Sequence, residues 1–213
     1  KDLYRNLKEM AQLLKGRLLD IGCGQKTYEH IFCNVTEYTG LEIDTAIVSD
    51  DCKADLYYDG RLLPFPSDSF DSIFMSQVLE HIFEPDSCIS EADRVLKEGG
   101  NLLLSVPFIW DEHEQPRDFA RYTSFGIKAL LCRNGFRIVE QRKTLTNIQV
   151  IFQLLNTYIY KKTVSNNRFL NLLSLISLMA PVNVIGLFAS GLFPDNPDLY
   201  LDNIVLAQKI SNS

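Results

Sequence analysis

A short apolar run that leads into two closely spaced glycines constrains the fold of this chain most. Residues 17–21 include Asp20, and Gly22 and Gly24 follow at once. The pattern is typical of a buried strand that enters a tight turn, because glycine adopts backbone conformations that other residues avoid. Further apolar strands are predicted at 37–43, 54–58, 71–76, 101–106, 136–143 and 199–209.

Helical segments lie between several of these strands. They are predicted at 2–15, at 85–97 and from Ser124, as N-cap, to Asn134, with Gly135 closing the last one. The second helix is expected to end at Gly99-Gly100. Short apolar strands that alternate with helices predict an α/β fold with a parallel, doubly wound sheet.

Residues 145–193 interrupt this alternation. They carry only three charges, Lys161, Lys162 and Arg168, and are helical in character. We interpret them as an insertion before the final strand of a single domain, 1–213. The uncharged part, 169–193, is long enough to suggest a membrane helix, but Pro181 is expected to split it into two pieces too short to span.

Three interpretations of the insertion follow from its composition. It is a packed lid or a dimer surface, a peripheral membrane contact helped by the three basic residues, or a re-entrant or spanning segment. Strands six and seven must join one sheet, which argues against a single crossing. If the segment contacts a membrane, a lipid-linked substrate becomes plausible.

The net charge and the cysteines limit the partners and the cellular location that we expect for the protein. The formal net charge is −6, which disfavours nucleic acid as a partner because phosphate binding needs a basic surface. The five cysteines are an odd number and form no CxxC pair. A disulfide framework and a structural zinc site are therefore not expected, and a cytoplasmic location fits best, with membrane association as the extension.

The glycine turn and the second strand together predict a nucleotide-like site. Ligands bind at the carboxyl ends of the strands in such a sheet. Glu42 ends the second strand and can accept hydrogen bonds from both hydroxyls of a ribose. The third glycine of a dinucleotide fingerprint is replaced by Thr27. A ligand with an ammonium and a sulfonium, such as S-adenosylmethionine, suits the nearby Asp20 better than a pyrophosphate does.

Three sequence blocks carry a family resemblance. LLDIGCG at 18–24 resembles motif I of the class I S-adenosylmethionine-dependent methyltransferases, and 59–81 and 94–107 resemble the following motifs of the type 11 subgroup. The likeness extends over roughly 15–144 and the final strand. It implies a Rossmann-like sheet of seven strands with an antiparallel last strand, and S-adenosylmethionine as the cofactor.

The resemblance also implies roles for matched positions. Asp20, Gly22 and Gly24 would line the methionine and ribose parts, Glu42 would hold the ribose, Asp59 and Gly60 would bind the adenine, and Gln77 would lie beside the methionine. Structural alternatives stay open at this point. The glycines could form a tight turn only, Glu42 could be a solvated strand end, and Asp59 could be a turn residue.

Catalytic candidates come from the long connection 107–123 after the fifth strand. His113 is the leading candidate for a general base, with Asp118 and Arg121 close behind it in the chain. Alternatively, Asp118 and Arg121 form an ion pair that only fastens the loop. Glu80-His81 resembles a metal-associated pair of ubiquinone-type O-methyltransferases, but Gln77 stands where those enzymes have a third ligand. We therefore expect no metal site.

The leading interpretation is a methyltransferase that acts on the oxygen or nitrogen of a small or lipid-linked acceptor. Two other functions compete with it. Tyr158 and Lys162 form the Y-x-x-x-K pair of short-chain dehydrogenases, but the glycine turn lacks the spacing of that family. The other alternative is a non-catalytic S-adenosylmethionine-binding partner subunit. The intact set of predicted cofactor residues favours the enzyme.

Overall fold

The computed structural model describes residues 2–44 and 51–211. Seven strands form one sheet in the order β3-β2-β1-β4-β5-β7-β6. The strands are β1 (Gly16–Ile21), β2 (Val35–Ile43), β3 (Leu56–Tyr58), β4 (Phe70–Ser76), β5 (Leu96–Pro107), β6 (Phe136–Lys143) and β7 (Asp202–Lys209). Strands β3, β2, β1, β4 and β5 pair in parallel, and the last strand is antiparallel. The predicted doubly wound, Rossmann-like sheet of seven strands is confirmed.

Helices connect the strands and form a separate group before β7. They are α1 (Asp2–Met10), α2 (Pro85–Val95), α3 (Ser124–Arg133), α4 (Gln149–Thr163), α5 (Arg168–Ser174) and α6 (Ala180–Ser190). Short 3-10 turns lie at Ala11–Leu13, Glu29–Ile31 and Leu79–His81. The order of the strands reverses between β1 and β4, which is the position where such sheets bind ligands.

The described residues divide into two compact units. The first takes in those of Lys1–Phe108, Glu112–Arg142 and Asn203–Ser213, and it contains nearly all of the sheet. The second consists of Ile109–Asp111 and Lys143–Asp202 and contains α4, α5 and α6. The predicted insertion, 145–193, lies inside the second unit and is helical, as its composition indicates.

Apolar side chains cover both faces of the central strands. Leu18 and Leu19 are fully buried in different clusters, one against α1 and the other against α2 and α3. Ile73 and Phe74 of β4 divide between the same two clusters. Because successive strand residues point to opposite faces, two buried faces require an uninterrupted apolar run, which is what the sequence shows.

The second predicted helix ends earlier than expected. Helix α2 stops at Val95, and Leu96 already pairs with Phe70 in the sheet. The register then shifts, so that Asn101 pairs with Ser72, and Gly99 has a φ of +70° inside this irregular stretch. The two glycines therefore serve a β-bulge rather than a helix end.

The cap of α3 lies one residue before the predicted position. Thr123, not Ser124, is the N-cap, and its side-chain oxygen accepts a hydrogen bond from the Gly126 N–H at 3.0 Å. Thr123 has the extended backbone that an N-cap requires, whereas Ser124 is already helical. Gly135 follows the helix with a φ of +88°, as the C-cap prediction requires.

The prediction that Pro181 divides the apolar run is wrong. Helices α5 and α6 are joined by a π-helical turn, Leu175–Met179, and together they form one long helix of 23 residues, Arg168–Ser190. Proline lacks an N–H and crowds the carbonyl four residues before it. The wider π turn immediately before Ala180 accommodates that ring without ending the helix. By length and composition the long helix is sufficient to cross a membrane.

Candidate active site

The glycine turn after β1 has the geometry that its sequence predicts. Gly22 and Gly24 have φ angles of +73° and +49°. A Cβ on Gly22 would lie 2.4 Å from a methyl carbon of Val78, so only glycine fits between the ends of β1 and β4. Among the described residues, apart from its own chain neighbours, no atom lies within 4 Å of where a Cβ of Gly24 would be. The turn thus packs closely at Gly22 and leaves space at Gly24.

Glu42 lies directly against this turn. Its carboxylate accepts hydrogen bonds from the N–H of Gly24 and from its neighbour Ile43, each at 3.0 Å. The two backbone donors fix the carboxylate at the carboxyl ends of β1 and β2. Each carboxylate oxygen retains acceptor capacity, which two adjacent ligand hydroxyls could use. The structure therefore brings Gly24 and Glu42 together.

Asp20 is buried below the turn and carries an unusual protonation state. The Tyr38 hydroxyl donates a hydrogen bond to it from the neighbouring strand. Burial raises the pKa of Asp20 to about 7, and the negative charge of Glu42 contributes in the same direction. Sequence reasoning missed Tyr38, because nothing in the spacing of the residues indicates this cross-strand partner. Asp20 is poised to ionise near neutral pH when a cation approaches.

Asp59 and Gly60 follow β3 at the same edge of the sheet. Asp59 is exposed and accepts the N–H of Arg61 at 3.0 Å, which is the turn contact considered as the alternative role. Gly60 has a φ of +80°, and a Cβ there would lie 2.6 Å from the side chain of Ile43. These residues line an open groove of about 940 Å³ that extends to His81.

Gln77 is held where β4 and β5 end. Its backbone has a φ of +56°, its N–H donates to the Ser105 carbonyl at 2.9 Å, and its amide donates to the Ser105 hydroxyl at 3.1 Å. The hydroxyl of Ser76 also lies 2.9 Å from the hydroxyl of Ser105. Ser105 was not among the predicted site residues, since a serine within an apolar strand carries no distinguishing signal.

The loop residues His113, Asp118 and Arg121 meet as predicted. Arg121 donates two hydrogen bonds to the Asp118 carboxylate, at 2.5 and 2.6 Å. The same carboxylate accepts the backbone N–H of His113 at 3.0 Å and lies 3.3 Å from its Nδ1. The Asp118 side chain is only 4% exposed. The Arg121 guanidinium holds the pKa of Asp118 well below its usual range, so this carboxylate is ionised at neutral pH.

This loop is fastened to the short turn that follows β4. The carbonyl of Arg117 lies 2.5 Å from Nδ1 of His81, and the N–H of Phe119 donates to the carbonyl of Glu80 at 2.8 Å. Tyr122 then donates its N–H to the Pro107 carbonyl at 3.0 Å. Backbone contacts at both ends therefore set the position of His113.

Glu80, His81 and His113 gather into one cluster. Their potential ligand atoms lie within 4.8 Å of one another, and the two imidazole rings meet edge to face at 4.8 Å. Glu80 is fully buried. A carboxylate with two imidazoles is a donor set that transition metals accept. As possible metal ligands the sequence suggested only the positions Gln77, Glu80 and His81, because the proximity of His113 to this pair is a tertiary contact. The absence of a metal stays a prediction.

Comparisons with known proteins relate part of this chain to methyltransferases. Residues 19–104 match a family model described as a methyltransferase domain, type 11. The O-methyltransferase rstn1 of Aspergillus nomiae is 25% identical over 162 residues, 65% of this chain and 72% of its own length. The 27-O-demethylrifamycin SV methyltransferase of Amycolatopsis mediterranei is 34% identical over 116 residues, 48% of this chain and 43% of its own length.

A solved structure shows the same fold. The SAM-dependent methyltransferase from Archaeoglobus fulgidus superposes with a TM-score of 0.63 at 16% identity, covering 97% of this chain and 93% of that one. The sheet of this chain is thus Rossmann-like, as it is in that structure. Residues 19–104 carry a methyltransferase domain, and the resemblance to the class I S-adenosylmethionine-dependent methyltransferases of type 11 that was drawn from the motifs is confirmed.

The residues of the site fit the cofactor of this family, S-adenosylmethionine. Open space at Gly24 lies beside the fixed carboxylate of Glu42, which suits a ribose. Asp20 offers a buried carboxyl group that can ionise near neutral pH beside a ligand that carries an ammonium and a sulfonium. The matched segment, 19–104, contains all seven predicted cofactor residues.

Proposed function

We propose that the protein methylates a hydroxyl oxygen of a small organic acceptor, with His113 as the general base. The observation that carries the proposal is the contact between His113 and the ionised, buried Asp118. The O-methyltransferase names of the two relatives support an oxygen acceptor. A hydroxyl must lose its proton during methyl transfer, and imidazole is the side chain best suited to accept a proton near neutral pH.

The Asp118 carboxylate selects which nitrogen of His113 is available. A carboxylate 3.3 Å from Nδ1 favours the tautomer with hydrogen on that nitrogen. In that tautomer Nε2 carries the lone pair of the ring, which can accept the proton of the acceptor hydroxyl. As the proton moves to Nε2, the imidazolium is stabilised by the negative charge of Asp118. Arg121 keeps Asp118 ionised and fixes its orientation through two hydrogen bonds.

The strand-end residues hold and orient the cofactor. S-adenosylmethionine supplies, when bound, a methyl group activated by a positively charged sulfur. Glu42 would accept the ribose hydroxyls, and Asp20 would become ionised beside the positive charge of the ligand. Gly24 admits the ligand close to the backbone. Because methyl transfer is an in-line displacement, fixed positions of both reactants supply much of the rate enhancement.

The experiment is a transfer assay with matched acceptors. Purified protein is incubated with S-adenosylmethionine that carries a labelled methyl group and with pairs of hydroxyl and amine compounds on the same carbon skeleton. The expected result is label on the oxygen compounds. In His113→Gln the rate at saturating substrate falls about 10²- to 10⁴-fold, while the affinity for S-adenosylhomocysteine is unchanged.

His30→Gln is the matched control, because the His30 ring instead contacts the Tyr4 hydroxyl at 2.9 Å. Its activity is expected to equal that of the wild type. Label on the amine partners alone, or full activity in His113→Gln, would contradict the proposal. Cofactor binding with no transfer to any acceptor would favour the non-catalytic partner subunit instead.

A further inference from the structure

The long helix, Arg168–Ser190, is apolar yet almost wholly exposed. Its 23 residues extend over about 34 Å. Its most apolar stretch of 18 residues has a mean hydropathy of 2.1, and 6% of that stretch is buried. A helix that is apolar on all sides is normally buried in a protein core or a membrane. Among the residues that the structure describes, α4 packs against one side of this helix, and the large apolar side chains on its other sides are exposed.

The side of the long helix that faces α4 is built from small and polar residues. Gly186 is buried, and a Cβ there would lie 2.8 Å from the ring of Phe152. Three pairs of polar side chains bridge the two helices: Asn156 with Asn183 at 2.7 Å, Gln149 with Ser190 at 2.8 Å, and Thr163 with Ser174 at 2.6 Å. Small residues and hydrogen-bonded polar pairs are typical of helix contacts inside membranes.

Large apolar side chains cover the other sides of the long helix. The most exposed are Phe169 at 69%, Leu187 at 65% and Phe188 at 72%. Exposed leucine, isoleucine and valine side chains lie between them along the whole helix, at Leu170, Leu172, Leu173, Leu175, Ile176, Leu178, Val184 and Ile185. A soluble helix turns its apolar face inward, so this arrangement is the inverse of the usual one.

We propose that α4 and the long helix form a hairpin that inserts into one leaflet of an anionic lipid membrane. A second protein would cover one face of the long helix, whereas lipid covers every outward side of it at once. Helix α4 contributes to the same surface through exposed Ile151, Leu155 and Tyr158. The inferred partner is therefore a lipid bilayer.

Basic and aromatic residues mark one end of this hairpin. Lys161 and Lys162 end α4, and Arg168 begins the long helix. Lys161 also pairs with Asp111 at 2.6 Å. Exposed Tyr158 and Phe169 lie beside these charges in the sequence. Basic residues with tyrosine are enriched where a protein meets the headgroups of a membrane, and the charges are attracted to anionic lipids.

The ends of the segment determine how it meets the bilayer. Thr144 and Asp202 are joined by a backbone hydrogen bond of 3.0 Å and a side-chain hydrogen bond of 2.8 Å. The chain therefore enters and leaves the segment at one point, and a single crossing is excluded. Helix α4, with 15 residues, reaches only about 22 Å, less than the hydrocarbon core. Because the turn between the two helices, with Lys161, Lys162 and Arg168, also lies at the headgroups, the hairpin lies along one leaflet and does not cross the bilayer.

Flotation with vesicles tests the proposal on the whole chain. Vesicles of phosphatidylcholine alone are compared with vesicles of equal parts phosphatidylcholine and phosphatidylglycerol. The wild type is expected to float with both, and more completely with the anionic vesicles. In the triple variant Leu172→Gln, Leu187→Gln, Phe188→Gln, partitioning into both falls at least about tenfold, because the inserted apolar surface is reduced.

The charge contribution is separated by a double variant, Lys162→Gln with Arg168→Gln. Its partitioning falls about thirtyfold on anionic vesicles only. Phe125→Gln is the matched control, since Phe125 is 82% exposed on α3, outside the hairpin, and its loss should change nothing. Binding of S-adenosylhomocysteine confirms that each variant is folded.

Two results would overturn the proposal. One is a wild-type protein that floats with neither kind of vesicle. The other is a triple variant that floats as well as the wild type. Sedimentation equilibrium without lipid identifies the competing occupant: a wild-type dimer that the triple variant dissolves, together with no flotation, would assign the surface to a second copy of this chain.

Discussion

One carboxylate oxygen of Asp118, Oδ2, contacts two atoms of His113: it accepts the backbone N–H at 3.0 Å and lies 3.3 Å from Nδ1 of the ring. The contact joins residues five positions apart in a loop, and two hydrogen bonds from Arg121 hold the carboxylate in place. The loop alternative, an ion pair that only fastens the chain, accounts for Arg121 but not for the imidazole beside the carboxylate. Activity and stability measurements on variants of Asp118 and Arg121 distinguish a role in catalysis from a role that only fastens the loop.

Replacing Asp118 by asparagine keeps its size and removes its charge. We expect the single-turnover rate with the best hydroxyl acceptor to fall about a hundredfold or more, because Nδ1 loses the acceptor that sets the tautomer. The affinity for S-adenosylhomocysteine should stay within twofold of the wild type. A rate unchanged in a correctly folded variant would leave Asp118 with a fastening role only.

Removing the partner of Asp118 should reduce stability in a pH-dependent way. In Arg121→Gln a nearly buried carboxylate loses its cation, and unfolding by urea at pH 7 should show a loss of about 3 kcal/mol. The depressed pKa of Asp118 stabilises the folded state above the ordinary carboxyl pKa. That contribution is lost as the pH falls below about 4, so the difference between variant and wild type should shrink there.

Arg133→Gln provides the matched control for this experiment. Arg133 pairs with Asp86 at 2.5 Å, but both side chains are more than half exposed. Exposed pairs contribute little to stability. Equal losses of stability in the two variants would show that burial of Asp118 does not matter, contrary to the structure.

Asp20 should couple cofactor binding to proton release. Its pKa of about 7, raised by burial, leaves it mostly protonated at pH 6. The sulfonium of S-adenosylmethionine favours the ionised form, so S-adenosylmethionine should displace close to one proton at pH 6 and almost none at pH 8.5. Calorimetry in two buffers of different ionisation enthalpy measures this number. In Asp20→Asn the release should disappear.

The raised pKa of Asp20 also determines how the stability of the folded protein changes with pH. The folded protein holds the Asp20 proton more tightly than the unfolded chain, so stability falls as pH rises from about 4 towards 7. Asp20→Asn without ligand should lack this part of the pH dependence. A variant whose unfolding free energy follows the wild-type pH dependence would refute the raised pKa.

Much of the fold follows from local sequence patterns. The buried strands are continuous apolar runs because both faces of the sheet are covered, and β6 has the predicted bounds, 136–143. The predictions were wrong where one residue type is typical of two different local structures. Gly99-Gly100 serves a bulge in β5, and Pro181 lies within a helix because a π turn precedes it.

The parts of the candidate site that lie at the ends of neighbouring parallel strands could be predicted from the sequence. Gly24 and Glu42 end adjacent parallel strands, so their contact follows from the register of β1 and β2. The contact of Tyr38 with Asp20 and the approach of His113 to Glu80 depend on tertiary packing. Single residues without a repeating pattern give no signal for such contacts.

The most direct test of the cofactor site is calorimetric titration with S-adenosylhomocysteine, with NADH as the control ligand. We expect micromolar binding of S-adenosylhomocysteine and no binding of NADH. We also expect at least about tenfold weaker binding in Glu42→Gln, because a charged acceptor is lost. Glu37→Gln, on the same strand but paired with Arg17, should bind as the wild type does. Binding of NADH, or no binding of either ligand, would contradict the account.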